Sequence, residues 1–373
     1  MTSEIIVYDN HNPSLPGKSL FGRQVGTQYD IQHMDSYFII RTNAGASNFK
    51  LIRILSSTLF SSNVTHTIDY YRSSGIAEII LSESDTVFIE RFETFQSHII
   101  AWVWENGLQQ ILLIQPNPPF QSQLLNLSPS SQVYSIFPGT TRDSEQRLYR
   151  RYESKCLMIS NSSYLQPWHL IGVDMDSSKI TLLKGSQSIG FDKSKYIEKR
   201  ILVPSSLGND SIKIPLAIIS DINNENKPRT PRDTFLTAYG AYGSFIQPEF
   251  FPDIFPLLTR NVNYAVCHPR GDGDLGSFWY EQGKFEMKEN TFLDVRDCMQ
   301  YLVDAGWTER GRIAFLGRSA GGLIAGSVFN RWGWVKDSIT QDSFARVVVA
   351  QVPFVDVIGD MVDEDMPWTA YEW

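Results

Sequence analysis

The sequence predicts an all-β region over residues 1–195 followed by a parallel α/β region over 196–373. Three observations lead there. Up to about Lys195, short β-rich runs alternate with polar turns, and none keeps a helical period for ten residues or so. After Tyr196, strand-like runs alternate with helical ones. A glycine-rich junction near residue 319 then joins a strand to a helix. With 373 residues, 42% hydrophobic and 20% charged, the chain is long enough for roughly two to three domains, each with its own core.

In the first region the strands are expected at 37–41, 49–54, 77–81, 87–91, 98–104 and 110–114. The runs at 37–41 and 87–91 are similar and lie 50 residues apart, each followed by a second strand after a turn. That period suits the blade of a β-propeller, and at about 40 to 50 residues per blade the region supplies roughly four. An irregular β-sandwich fits the same pattern.

In the second region strands are expected at 213–219, 234–239, 264–267, 313–316 and 347–351. The clearest helix takes Asn290 as its N-cap and runs over 291–303. Phe292, Val295, Met299 and Leu302 form one apolar stripe, and Gly306 ends the helix, which reads as a packing element.

Directly after the strand at 313–316 stands Gly317-Arg318-Ser319-Ala320-Gly321-Gly322, followed by a helix-compatible run over 323–330. This is a G-x-S-x-G pattern in the strand-turn-helix context of a nucleophile elbow. A sharp turn presents the serine hydroxyl, and small neighbours let strand and helix approach. Ser319 is therefore the candidate nucleophile. The backbone N–H of Ala320, at a helix N-terminus, is a natural donor to a developing oxyanion. A second donor is expected from the glycine-rich junction 237–245, where Tyr239 and Tyr242 each offer a phenol.

Composition excludes several functions. The formal charge is −8 and no Lys/Arg cluster is interleaved with aromatics, so nucleic acid is not an expected partner. Cys156, Cys267 and Cys298 are too few and too scattered for a disulfide framework or a four-ligand zinc site, which fits a reducing compartment. The N-terminus shows no secretory pattern and no run approaches the ~18 apolar residues of a membrane span, so a soluble, cytoplasmic protein is expected. Asp272-Gly273-Asp274 resembles the start of a calcium loop, but Gly276 and Ser277 stand where that loop needs a ligand and a glycine, so no metal and no cofactor are expected.

Several ordered segments together resemble the prolyl oligopeptidase family of serine peptidases, in its oligopeptidase B branch. They are Tyr239-Gly240-Ala241-Tyr242-Gly243, His268-Pro269-Arg270-Gly271-Asp272-Gly273-Asp274-Leu275-Gly276, Trp279-Tyr280, Gly283-Lys284, Lys288-Glu289-Asn290-Thr291-Phe292-Leu293-Asp294, the elbow, and Ala350-Gln351-Val352-Pro353-Phe354-Val355-Asp356-Val357. The likeness is strong over 196–373 and weaker before. It implies a partial α/β-hydrolase domain preceded by a partial β-propeller that admits short peptides. It also implies Ser319 as nucleophile, with the Tyr242 hydroxyl and the Ala320 N–H forming the oxyanion hole. Ala320 after the serine resembles members that cut after Lys or Arg, and Glu372 matches a glutamate that pairs with the basic P1 side chain, as charge-assisted bonding would allow.

An α/β-hydrolase orders its triad Ser, then Asp or Glu, then His. All six histidines, His11, His33, His66, His98, His169 and His268, precede Ser319. On the resemblance, the catalytic Asp and His lie beyond Trp373 and further propeller blades are absent. The chain is therefore expected to be a fragment or truncated gene product, inactive alone. The alternative is a non-catalytic binding module derived from such a peptidase.

Overall fold

The computed structural model describes the chain except residues 1–3, 9–13, 15, 62–64, 128–133, 140, 143–147, 150–151, 187–189, 208–211, 227–228, 334–342, 364–368 and 370–371. Two units are each drawn from separated stretches of sequence. One comprises Met1–Leu127, Pro138–Ile159 and Ile171–Thr181; the other comprises Ser128–Phe137, Ser160–Leu170 and Leu182–Trp373.

The second unit is organised by a six-stranded sheet. Its strands are β1 (Tyr196–Pro204), β2 (Lys213–Asp221), β3 (Thr234–Thr237), β4 (Asn263–Cys267), β5 (Ile313–Arg318) and β6 (Ala345–Gln351), in spatial order β1-β2-β4-β3-β5-β6. β2 pairs antiparallel with both β1 and β4, whereas β4, β3, β5 and β6 run parallel. β1 was not among the expected strands; its residues are half-buried almost throughout, so it lacks a clean alternation. The parallel strands are mostly apolar runs of Val, Ile, Leu, Ala and Phe, as burial between helices requires. β3 lies between β4 and β5, with Thr237 opposite Leu316. The loops leaving β3 and β5 therefore emerge side by side at the carboxyl edge, where open α/β sheets bind ligands.

Two helices cover the core of this sheet, α1 (Lys288–Asp304) and α2 (Gly321–Trp332). Val295, Cys298, Met299 and Leu302 of α1 and Ile324, Ala325 and Val328 of α2 pack with Leu216, Ile218, Leu236, Ala265 and Phe315 of the strands. The expected apolar stripe is thus the packing face. The start of α1 differs, however. Asn290 is inside the helix and donates its side-chain amide to the Gln282 carbonyl (2.9 Å), and a 3-10 turn at Phe285–Met287 leads into the first residue, Lys288. β6 is the last strand of the sheet and leaves Val347 and Val349 50% and 42% exposed.

The first unit contains two antiparallel four-stranded meanders. They are Tyr29–Met34, Tyr37–Thr42, Lys50–Leu55 and Glu78–Leu81, then Val87–Thr94, Ile99–Glu105, Leu108–Ile114 and Ser122–Leu124. Met34, Ile39, Leu51 and Ile80 of the first pack against Ile89, Phe92, Ile99 and Ala101 of the second. Arg41 fastens the two, its guanidinium 3.4 Å from the Phe49 ring centroid and its Nε donating to the Ile89 carbonyl at 2.6 Å. A third four-stranded sheet takes its strands from 135–185. The region is also not purely β. Helices at Ser56–Ser61 and Ile68–Ser73 are each only six residues long, too short to show a period, although Thr67 caps the second by accepting from the Tyr70 N–H. No helix among the described residues is long and apolar enough to cross a membrane.

Two glycines of α2 have opposite needs. A Cβ on Gly322 would lie 2.4 Å from Pro353 Cβ, whereas one on Gly326 meets nothing within 4 Å. Gly326→Ala is therefore expected to stabilise the unit by about 0.5–1 kcal/mol through helix propensity. Gly322→Ala is expected to destabilise it by about 1–3 kcal/mol through overpacking. Denaturant unfolding of the two variants should move in opposite directions.

Candidate active site

Ser319 sits where β5 ends and α2 begins. Its backbone is left-handed, with φ 54°, a conformation that costs a side-chain-bearing residue on the order of 1–2 kcal/mol. Three backbone bonds hold it there. The Ser319 N–H donates to the Gln351 carbonyl (3.0 Å), and the Ser319 carbonyl accepts from Gly322 (2.8 Å) and Phe354 (2.9 Å). Gly317 must be glycine, because a Cβ there would fall 2.0 Å from the Gly321 carbonyl oxygen. Ser319 is exposed, while Ala320 is buried as the N-cap of α2, so its N–H stands ahead of the helical ladder. The expected elbow is present in backbone detail.

The loop after β3 carries two phenols, Tyr239 and Tyr242. The nearby Ser319 side chain favours the Tyr239 phenolate. Burial, the larger influence, pushes the Tyr239 hydroxyl up. Tyr242 is 41% exposed, and its hydroxyl accepts from the Trp373 indole N–H at 3.2 Å. After Tyr239 the backbone turns left-handed at Gly240 (φ 67°) and again at Tyr242 (φ 60°). Beside Tyr239 a cleft of about 280 Å³ opens, lined by Thr237, Phe245, Ile246 and Arg318 among others.

Glu372 differs from expectation. It has no exposed surface, and its Oε1 lies 3.1 Å from Lys288 Nζ. The Tyr242 N–H and the Tyr280 hydroxyl also favour the ionised form of this carboxyl, although Oε2 makes no hydrogen bond. Burial pushes the Glu372 carboxyl up and the Lys288 ammonium down, and their mutual attraction opposes both shifts. A carboxylate enclosed and paired with an ammonium does not face a substrate, so the P1 role expected for Glu372 does not fit its place in the fold.

Comparison with known proteins places this geometry in a family. The prolyl oligopeptidase family model matches residues 248–373, and the model of that family's N-terminal beta-propeller domain matches residues 1–186. The chain belongs to the prolyl oligopeptidase family. It is 28% identical to "Protease 2" of Moraxella lacunata, over 100% of this chain and 48% of that protein. It is 30% identical to "Dipeptidyl aminopeptidase BI" of Pseudoxanthomonas mexicana, over 94% of this chain and 43% of that one. Among solved structures it superposes on oligopeptidase B from Trypanosoma brucei with covalently bound antipain (TM-score 0.81, 26% identity, 100% of this chain and 49% of that chain). Oligopeptidase B from Leishmania major gives 0.80, 27%, 100% and 49%. The chain therefore spans about half the length of the relatives it matches, and its likeness lies with the oligopeptidase B branch of these serine peptidases.

The family's glycine-rich segment after β4 packs under the Tyr239 loop. Asp272 accepts from the Gly240 N–H at 2.8 Å, with the Ala241 N–H against the same carboxylate. Arg270 clamps Asp294 of α1 in a bidentate pair, Nε to Oδ2 2.8 Å and Nη2 to Oδ1 2.6 Å. His268 is buried with Nδ1 3.2 Å from Asp274 Oδ1. His268, Asp272 and Asp274 bring one nitrogen and two carboxylates within 4.8 Å of one another and are the described residues best placed to hold a cation. Arg200 already acts on Asp274, and Lys288 on Asp272, so positive charge reaches this cluster from the protein itself.

Asp272 has its carboxyl pushed well up, by burial first and by Asp274 second. The folded state then keeps a proton that the unfolded chain releases at about pH 4, so stability falls as pH rises from there through the raised value. Asp272→Asn keeps the acceptor for Gly240 and removes the titration. Its unfolding free energy, followed by denaturant melts from pH 4 to 8, is expected to decline less with pH than that of the unaltered chain; parallel declines would refute the assignment.

Proposed function

We propose that this chain carries the nucleophile and oxyanion side of a serine oligopeptidase that hydrolyses short peptides after Arg or Lys through an acyl-enzyme. The observation that carries the proposal is the left-handed, exposed Ser319 on the turn between β5 and α2. In this reading Ser319 Oγ attacks the scissile carbonyl, and the oxyanion that forms is met by the Ala320 N–H and the Tyr242 hydroxyl. The cleft beside Tyr239 and Phe245 receives the peptide. The serine proton must pass to a base and return to the leaving amine. Among the histidines of this chain, His268 is enclosed beside Asp274, so in this reading the base is not His268.

The preference for basic residues rests on the Gly-Arg-Ser-Ala-Gly-Gly run and on the likeness to oligopeptidase B, not on Glu372. The three cysteines, few and scattered along the chain, fit a reducing, cytoplasmic setting.

The test compares the 373-residue chain with the product of the same gene read on past Trp373. The chain alone is expected to leave an Arg-amide substrate essentially uncleaved and to escape stoichiometric labelling by a fluorophosphonate; strong labelling at Ser319 would overturn that part. The longer product is expected to cleave Arg- and Lys-amides in preference to Pro-amides, and Ser319→Ala to abolish turnover. Tyr242→Phe should lower kcat on the order of 10²-fold while Tyr239→Phe leaves it within a few-fold. The reverse ranking of the two tyrosines would move the oxyanion role to Tyr239.

A further inference from the structure

His268, Asp272 and Asp274 of the segment after β4 are 7%, 0% and 3% exposed, and His268 Nδ1, Asp272 Oδ2 and Asp274 Oδ2 have no hydrogen-bond partner. One ring nitrogen and one oxygen of each carboxylate fall within 4.8 Å of one another, with His268 Nδ1 3.2 Å from Asp274 Oδ1. A buried polar atom left unpaired is costly, and three so close together point to an occupant. The protein's own cations do not supply it. Lys288 has three hydrogens, and they go to the Gly240 carbonyl at 2.6 Å, the Gly283 carbonyl at 2.8 Å and Glu372 Oε1 at 3.1 Å. Arg200 attracts Asp274, yet Asp274 Oδ2 stays unpaired.

The backbone that carries these groups is fixed on its own account. Asp272 Oδ1 accepts from the Gly240 N–H at 2.8 Å, which leaves Oδ2 for the cluster. The Gly243 N–H donates to the Gly271 carbonyl at 3.0 Å and the Gly273 N–H to the Ser244 carbonyl at 2.9 Å. A Cβ on Gly271 would run into the Gly240 carbonyl, and one on Gly273 into the Gly243 carbonyl, so the two loops are in contact along their backbones. An imidazole nitrogen with two carboxylate oxygens is a donor set for a borderline divalent ion such as zinc, whereas calcium takes about six to eight oxygens. Donors bound to one zinc at about 2.0–2.2 Å stand about 3.4 Å apart, so groups no more than 4.8 Å apart gather on it by small side-chain rotations. We propose that His268, Asp272 and Asp274 are the protein ligands of one divalent cation of the zinc class, which ties the segment after β4 to the loop after β3. The competing occupant is a proton held between the two carboxyls, and it does not serve His268.

The site does not depend on the peptidase reading and is tested without turnover. The 373-residue chain is stripped with EDTA, dialysed against micromolar Zn2+ alone and assayed for metal. The unaltered chain is expected to retain about one equivalent more than Asp274→Asn, and Zn2+ to raise its Tm by at least about 4 °C while leaving that of Asp274→Asn unmoved. Should Asp274→Asn fail to fold, Asp272→Asn, which keeps the acceptor for Gly240, carries the same comparison with the same outcomes. X-ray absorption of the zinc held by the unaltered chain needs no variant and is expected to show nitrogen and oxygen without sulfur. Equal retention by chain and variant, or sulfur in the shell, would assign the metal to other groups such as the exposed Cys156 and overturn the proposal. No retention would leave the carboxyls to the shared proton and overturn it too. A Tm rise with Ca2+ as large as with Zn2+ would overturn the zinc class.

Discussion

The strained backbone at Ser319 is the constraint around which the second unit is arranged. A left-handed serine persists only if its surroundings over-determine it, and here they do so from three sides. β6 supplies the Gln351 carbonyl, the segment after β6 supplies the Phe354 N–H, and α2 supplies the Gly322 N–H. Each of these partners exists because β5 is an interior parallel strand with β6 beside it and α2 over it. Were β5 at the edge, one of the three clamps would be missing. The glycines at 317 and 322 follow from the same crowding, as each marks a point where backbone meets backbone or proline too closely for a side chain.

Much of this was legible in the sequence, and for identifiable reasons. Burial of α1 and of the inner strands of the sheet is written in apolar periodicity, so Val295, Met299 and Leu302 and the runs at 213–219 and 313–316 could be read directly. The elbow was legible because small residues at fixed offsets from a serine, between a strand and a helix, rarely fall together by chance. Three things were not. The start of α1 was obscured because Asn290, a good capping residue, makes its bond from inside the helix. The short helices at Ser56–Ser61 and Ile68–Ser73 are below the length at which a period exists. The strand β1 was obscured because its residues are half-buried almost throughout and show no clean alternation.

Buried charge was the least legible feature. Lys288, Thr291 and Asp294 lie three residues apart along α1, on a face that sequence alone would assign to solvent. In the fold that face is turned inward, with Lys288 on Gly240 and Glu372, Thr291 on the Arg270 carbonyl (2.6 Å) and Asp294 on the Arg270 guanidinium. The polar row of α1 therefore holds the loops of the site, while its apolar row holds the sheet. Glu372 belongs to the same class. A carboxylate's residue type says that it wants a cation and not whether that cation is a substrate's or the protein's own.

The outer strand β6 has a practical consequence for anyone handling this chain. Its main-chain margin, last in the sheet among the described residues, together with the half-exposed Val347 and Val349, is a surface on which another extended segment can hydrogen-bond and be covered at once. Lysine in place of Val347 and Val349 would charge that margin, which is how natural sheets keep an exposed edge from pairing.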